Sequence, residues 1–211
     1  MFLFNEILVF LLATLVLNLT PGSDVLFVAT QSIGNGLKGG IPAALGVSFG
    51  ILFHIFAVAF GLAELLAVYP LAFHAVKFVG AAYLFYLAYQ ALKNPPLSFD
   101  KIQGSTLSTR QTFFRGALTN VLNPKVALFF MAFLPQFIQA ERGASVMSQT
   151  LVLGGMFIVS GTFINLGYAC LFCFARARVQ ASRSFQKHLA KITAGVFGFL
   201  AVKLVLAEAK S

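Results

Sequence analysis

One carboxylate and one ammonium stand in this sequence where lipid could solvate neither. Asp24 closes the run Asn18-Leu19-Thr20-Pro21-Gly22-Ser23-Asp24, and Lys125 closes Asn120-Val121-Leu122-Asn123-Pro124-Lys125, each run lying inside a membrane-length apolar segment. A charge at mid-bilayer depth costs at least roughly 2.5–3.5 kcal/mol on insertion scales, so both residues imply a partner. Behind its proline break each starts a new half-helix, whose N-terminal dipole favours Asp24 and disfavours Lys125. Asp24 has three roles open to it: an N-cap-like stabiliser of that half-helix, shared with Ser23, a proton-titrating carboxylate, or the counter-ion of a substrate ammonium. Lys125 lies about 20 Å along a helix counted from residue 112, too deep for its stem to snorkel out. Its fixed partner must be Asp24, a substrate carboxylate or freed backbone carbonyls.

Around the breaks, Asn18, Thr20, Thr119, Asn120, Asn123 and Asn165 suit either unwound backbone or a zwitterionic ligand. Pro21, Gly22 and Pro124 make the breaks themselves, because proline removes a helix hydrogen bond and glycine weakens the helix. Backbone unwound at membrane depth is tolerated only where protein or a water-filled cavity receives the freed groups. Two such breaks, one in each half of a small chain, point to a transporter with a central site. His54, in the middle of an apolar run, is either hydrogen-bonded structure or part of a proton path. Glu64 reads as interfacial, and Tyr83, Tyr86 and Tyr89 as an interfacial belt or packing. Cys170 and Cys173 sit in an apolar run as Cys-Leu-Phe-Cys and read as small buried hydrophobes. No HExxH, P-loop, GxSxG or helically spaced carboxylate pair is present, so no catalytic residues, metal ligands or cofactor site are expected.

The elements that hold these residues are apolar helices. The 211 residues are 59% hydrophobic and 10% charged, with a mean hydropathy of +0.88. At about 20 residues per crossing, that is six spans with no room for a soluble domain. They are expected near 4–33 (broken at 18–24), 39–67, 69–92, 112–139 (broken at 123–125), 147–175 and 189–208. The N-terminal run lacks a basic start and a small-residue cleavage site, so it reads as a span and not as a signal peptide.

A net charge of +9 could suggest nucleic acid, but the basic residues lie in short loops, which is a topology signal. Lys38, then Lys93, Lys101, Arg110 and Arg115, then Arg176, Arg178, Arg183, Lys187 and Lys191 flank the first, third and fifth loops. Only Lys77 and Arg142 flank the second and fourth. The odd loops are therefore expected in the cytoplasm and both termini outside.

The halves echo each other. Thr20-Pro21-Gly22-Ser23-Asp24-Val25-Leu26-Phe27 parallels Asn123-Pro124-Lys125-Val126-Ala127-Leu128-Phe129, and the segment from Lys77 parallels that from Lys191. The expected fold is all-α and integral to the membrane, with six transmembrane helices as two inverted three-helix repeats and a proline-broken first helix in each. Repeat one covers about 1–92, a cytoplasmic loop about 93–111, and repeat two about 112–211, together one transporter domain. Gly46-Val47-Ser48-Phe49-Gly50 reads as a close-packing element.

These motifs resemble the LysE/RhtB family of bacterial amino-acid exporters over nearly the whole chain. The resemblance rests on Thr20-Pro21-Gly22-Ser23-Asp24, Gly36-Leu37-Lys38-Gly39-Gly40, Ala43-Ala44-Leu45-Gly46, Lys77-Phe78-Val79-Gly80-Ala81-Ala82-Tyr83-Leu84, Phe114-Arg115-Gly116-Ala117, Asn120-Val121-Leu122-Asn123-Pro124-Lys125 and Phe133-Leu134-Pro135-Gln136-Phe137. The family pattern at the first break is Pro-Gly-Pro-Asp; here Ser23 replaces the second proline, loosening the expected break, and Asp24 is kept. The resemblance implies an inner-membrane protein, with periplasmic termini in the charge-derived topology, that exports amino acids or close derivatives. Neutral substrates such as threonine, homoserine or leucine are favoured, in exchange for protons. It implies an amino-acid substrate, protons and the lipid bilayer as partners, no nucleic acid, and leaves room for a homo-oligomer. A carrier for another small ion or metal, and a membrane redox partner using the two cysteines, are the alternatives.

Overall fold

The computed structural model describes residues 4–20, 22–68, 78–79, 81–82, 85–86, 88–89, 93, 107–139, 144–174, 191, 194–195, 198–199, 201–202 and 205. Pro21, most of the expected third and sixth spans, most of the 93–111 loop and the side chain of Glu64 lie outside the described residues. Every described element is helical. In chain order they are α1 (Phe4–Leu19), α2 (Ser23–Asn35), α3 (Leu37–Val68), α4 (Thr109–Val121), α5 (Pro124–Leu128) and α6 (Val146–Phe174). A π-helical turn at Phe129–Phe133 and a 3-10 turn at Leu134–Phe137 extend α5.

The breaks fall where the prolines and asparagines dictated. Thr20 ends α1 by turning its hydroxyl back onto the Val16 carbonyl at 2.7 Å, and Gly22, extended at φ −135° and ψ −168°, leads into α2. In the second break Asn123 caps α5 from its side chain and Pro124 occupies the first turn, where a missing N–H costs nothing. The axes bend by 50° between α1 and α2 and by 47° between α4 and the α5 segment. Gly36, at φ +63°, makes the turn from α2 to α3 in the left-handed region that glycine enters without strain. α4 starts on a capping box in which Ser108 and Gln111 exchange side-chain and backbone hydrogen bonds.

Two described helices are long and apolar enough to cross a membrane, Leu37–Gly61 within α3 and α6; counting each bent pair as one span makes four. The packing matches a lipid setting. Phe49, Phe53, Phe56 and Phe60 form an outward stripe on α3, each about half exposed or more, a surface that water would penalise and acyl chains solvate. Inside, Phe10 of α1 meets Phe129 and Phe137, while Phe130 meets Phe157 of α6 at 4.9 Å between ring centroids.

The small residues of α3 bring its backbone against α4. A methyl group added at Gly50 would lie 2.5 Å from the Ala117 carbonyl oxygen, one at Gly46 would collide with the Phe113 carbonyl, and one at Gly116 would reach within 2.7 Å of the Ala43 carbonyl. The GxxxG element therefore works within the chain. Where α3 crosses α6, Thr162 donates to the Ser48 hydroxyl at 2.8 Å. At the bundle's other end, Gln149 on α6 holds the segment after the 3-10 turn by a pair of hydrogen bonds with the Gln139 backbone.

Candidate functional site

The two breaks meet. Lys125, on the first turn of α5, sends its ammonium across to the end of α1, where Nζ donates to the Thr20 carbonyl at 2.9 Å and the Leu17 carbonyl at 3.2 Å. Both carboxylate oxygens of Asp24, on the first turn of α2, stand 3.4 Å from the same nitrogen. The pair is almost wholly enclosed, with Lys125 3% and Asp24 4% exposed. An ammonium has three hydrogens to donate, and two carbonyls and one carboxylate receive them. The Thr20 carbonyl is available because it lies past the last turn of α1, while the Leu17 carbonyl accepts both Lys125 Nζ and the Thr20 N–H, each at 3.2 Å.

Gly22 and Asn123 fit this arrangement from either side. A Cβ at Gly22 would come within 2.8 Å of Asp24 Oδ1 and 3.1 Å of Lys125 Nζ, so only glycine leaves the pair its space. Asn123 Oδ1 accepts the backbone N–H of Lys125 at 3.1 Å, which fixes where the lysine begins.

The other residues singled out from sequence divide. His54 on α3 lies beside the second break, where its Nε2 donates to the Asn120 carbonyl at 3.0 Å and its ring stacks on Phe130; because a carbonyl only accepts, Nε2 carries a proton. Asn18 faces α6, and a Cβ at Gly161 would lie 3.3 Å from its amide. Ser23 is exposed and makes no cap, and Asp24 spends its carboxylate on Lys125 instead of on its own helix terminus. Thr119 bonds back to Arg115 at 2.7 Å on the outer side of α4, away from the pair. Cys170 is exposed and Cys173 partly so, both as free thiols.

Three participants escaped the sequence reading. Leu17 serves through its carbonyl, which no side-chain pattern signals. Tyr168 on α6 donates its hydroxyl to the Leu19 carbonyl at 2.7 Å, taking a further freed group at the end of α1; among many aromatics its spacing carried no signal. Thr14 is completely buried, and its hydroxyl, like Asn18 Nδ2, Asn120 Oδ1 and Asn123 Nδ2, has no hydrogen-bond partner among the described residues.

An enclosed cation and anion shared by two broken helices, in a bundle with a lipid-facing exterior, define a membrane translocator. The chain belongs to the family of LysE type translocators, whose match covers residues 15–208. It is a transporter and not an enzyme. The homoserine/homoserine lactone efflux protein of Salmonella typhimurium is 34% identical over 162 residues, 77% of this chain and 78% of that one. The leucine efflux protein of Salmonella choleraesuis is 32% identical over 194 residues, 92% of this chain and 89% of that one. No solved structure matches the chain.

Proposed function

We propose that the protein exports neutral amino acids or close derivatives across the bacterial inner membrane in exchange for protons, with the Asp24–Lys125 pair as the shared site. The observation that carries this reading is the position of the pair, with one charge from each break and 3.4 Å between them. A zwitterion carries the same two charges. Its carboxylate replaces Asp24 as the partner of Lys125, and its ammonium replaces Lys125 as the partner of Asp24. A proton on Asp24 competes with that ammonium for one carboxylate, while the Leu17 and Thr20 carbonyls keep hold of Lys125. Proton and substrate thus load in alternation, which is the requirement for exchange. A proton returning inward gains about 2.3 kcal/mol per 100 mV, a drive that a net-neutral substrate lacks. The names of the similar efflux proteins support amino-acid substrates.

The proposed architecture is six spans in two inverted repeats, about 1–92 and 112–211, with both termini periplasmic. Reciprocal packing supports it. Asn120, in the broken helix of the second half, abuts Gly50 on α3 of the first; Asn18, in the broken helix of the first half, abuts Gly161 on α6 of the second. With Pro21 aligned on Pro124 the two asparagines of these contacts correspond to within one residue, as a pseudo-two-fold relation between the halves requires.

The test is substrate accumulation in inverted vesicles energised by an imposed pH gradient. Wild-type protein is expected to move a neutral amino acid uphill, and Asp24→Asn to remain inserted while losing gradient-driven transport. Undiminished uphill transport by Asp24→Asn would remove Asp24 as the proton carrier and leave His54 as the next candidate.

A further inference from the structure

Between Lys93 and Arg115 the chain carries four basic residues, Lys93, Lys101, Arg110 and Arg115, against one acidic residue, Asp100. Arg110 and Arg115 sit on the first two turns of α4. Both are exposed, and among the described residues neither guanidinium is paired with a carboxylate. They share a surface groove of about 460 Å³ with Ser108, Gln111 and Phe114. Ser108 and Gln111 are spent on each other: the Ser108 N–H donates to Gln111 Oε1 at 3.0 Å, and the Gln111 N–H donates to Ser108 Oγ at 3.3 Å. The polar capacity left in the groove is that of two guanidinium groups, donors only, whose planar fork matches a phosphate.

From this groove an apolar ridge runs along α4. Phe114, Leu118 and Leu122 are 54%, 56% and 70% exposed, and residues four apart share a helix face. Arg110 heads the same ridge, with its guanidinium 5.8 Å from the Phe114 ring centre. At 1.5 Å per residue the ridge extends about 12 Å from Phe114 to Leu122. Its base is fixed by the bundle: Phe114 meets Phe113 edge-on at 5.5 Å, Phe113 meets Phe49 of α3 at 5.5 Å, and Gly46 packs against the Phe113 carbonyl. α4 is the first arm of a bent pair long and apolar enough to make one span. The arginine end of the ridge therefore lies toward the headgroups and the leucine end among acyl chains.

We propose that this groove binds an anionic glycerophospholipid, its phosphate held by Arg110 and Arg115 and one acyl chain laid along Phe114, Leu118 and Leu122; the proposal stands whatever the protein exports. Charge and apolar ridge select this occupant together. A water-soluble phosphate engages the arginines alone, and an uncharged lipid engages the ridge alone. A choline or ethanolamine head brings an ammonium for which the described lining offers no carboxylate, whereas a glycerol head brings only hydroxyls. Basic pockets at the headgroup level of membrane helices suit anionic lipids for this reason, and an arginine can meet the phosphate with two parallel hydrogen bonds.

The test measures lipid retention by the purified protein in mild detergent, read by native mass spectrometry, with phosphatidylglycerol and phosphatidylcholine of the same chains as probes. Wild type is expected to retain phosphatidylglycerol about tenfold more readily than phosphatidylcholine; equal retention of the two would overturn the proposal. Arg110→Gln with Arg115→Gln should erase the preference. Lys93→Gln with Lys101→Gln, which removes the same charge from the neighbouring loop, should keep it. Equal loss in both double variants would mean a diffuse basic surface and no site. Leu118→Asn, which leaves both arginines in place, should also lower retention. Unchanged retention in that variant, or displacement of the lipid by millimolar glycerol 3-phosphate, would make the groove a site for a free anion and overturn the lipid assignment. Should the double arginine variant fail to insert, Arg115→Gln alone must lower the preference about threefold, or the site is wrong.

Discussion

Lys125 Nζ lies closer to the Thr20 carbonyl, at 2.9 Å, than to either oxygen of Asp24, at 3.4 Å. The lysine is thus anchored by broken-helix backbone and only shares its remaining hydrogen with the carboxylate. The two ends of the pair are not equivalent. Without the Asp24 carboxylate Lys125 keeps two carbonyl partners, but loss of Lys125 leaves an enclosed carboxylate with no cation among the described residues.

Removing one partner of a buried pair costs about 3–5 kcal/mol when the other charge is stranded. Lys125→Ala should therefore lower thermal stability in detergent far more than Asp24→Asn. The double variant Lys125→Met with Asp24→Asn should recover most of the stability and none of the transport. Equal destabilisation by the two single variants would contradict the backbone anchoring of the lysine.

Gly22→Ala places a methyl 2.8 Å from Asp24 Oδ1 and 3.1 Å from Lys125 Nζ. Because a tenfold rate change corresponds to only about 1.4 kcal/mol, prying the pair apart by a few tenths of an ångström should cut transport about tenfold with normal insertion. Wild-type transport rates from this variant would mean that the close approach has no bearing on function.

Asn123→Ala removes the cap that fixes the first turn of α5, and cap loss costs about 0.5–2 kcal/mol. Asn123→Ser should retain stability because its hydroxyl can accept the Lys125 N–H. A melting series of the two variants checks the order; equal loss in both would mean that the bond from the Lys125 N–H to the Asn123 oxygen contributes nothing.

The glycines should separate into two groups. Gly46→Ala and Gly50→Ala drive a methyl into the α4 backbone and should abolish stable insertion, whereas Gly155→Ala and Gly167→Ala, with no described atom within 4 Å of the added carbon, should accumulate normally. Membrane-fraction immunoblots read the difference.

Single cysteines in loop 97–109, placed in a chain with Cys170 and Cys173 replaced by alanine, should resist impermeant thiol reagents in intact cells. The excess of Lys and Arg beside the odd loops predicts that side to be cytoplasmic. Ready labelling would invert the topology.

Much of the fold could be read directly from the residues. Apolar length set the helices, and the described boundaries of the first, second, fourth and fifth expected spans fall within about three residues of the expected ones. Pro21, Gly22, Asn123 and Pro124 marked the breaks because missing N–H groups and a missing side chain act locally. Gly46 and Gly50 announced a close approach, though not to which helix.

The site was legible only as a need. By itself the sequence determined that Asp24 and Lys125 sit too deep to stand alone, since the cost of a charge in lipid depends on depth and depth follows from counting residues. Which groups satisfy them depended on the tertiary structure, because residues 101 positions apart in the chain meet through helix packing. The carbonyls of Leu17 and Thr20, the hydroxyl of Tyr168 and the idle Thr14 belong to that same level. A backbone carbonyl looks alike at every position in a sequence, and whether a hydroxyl bonds its own helix or stays unpaired is decided by what the fold sets across from it.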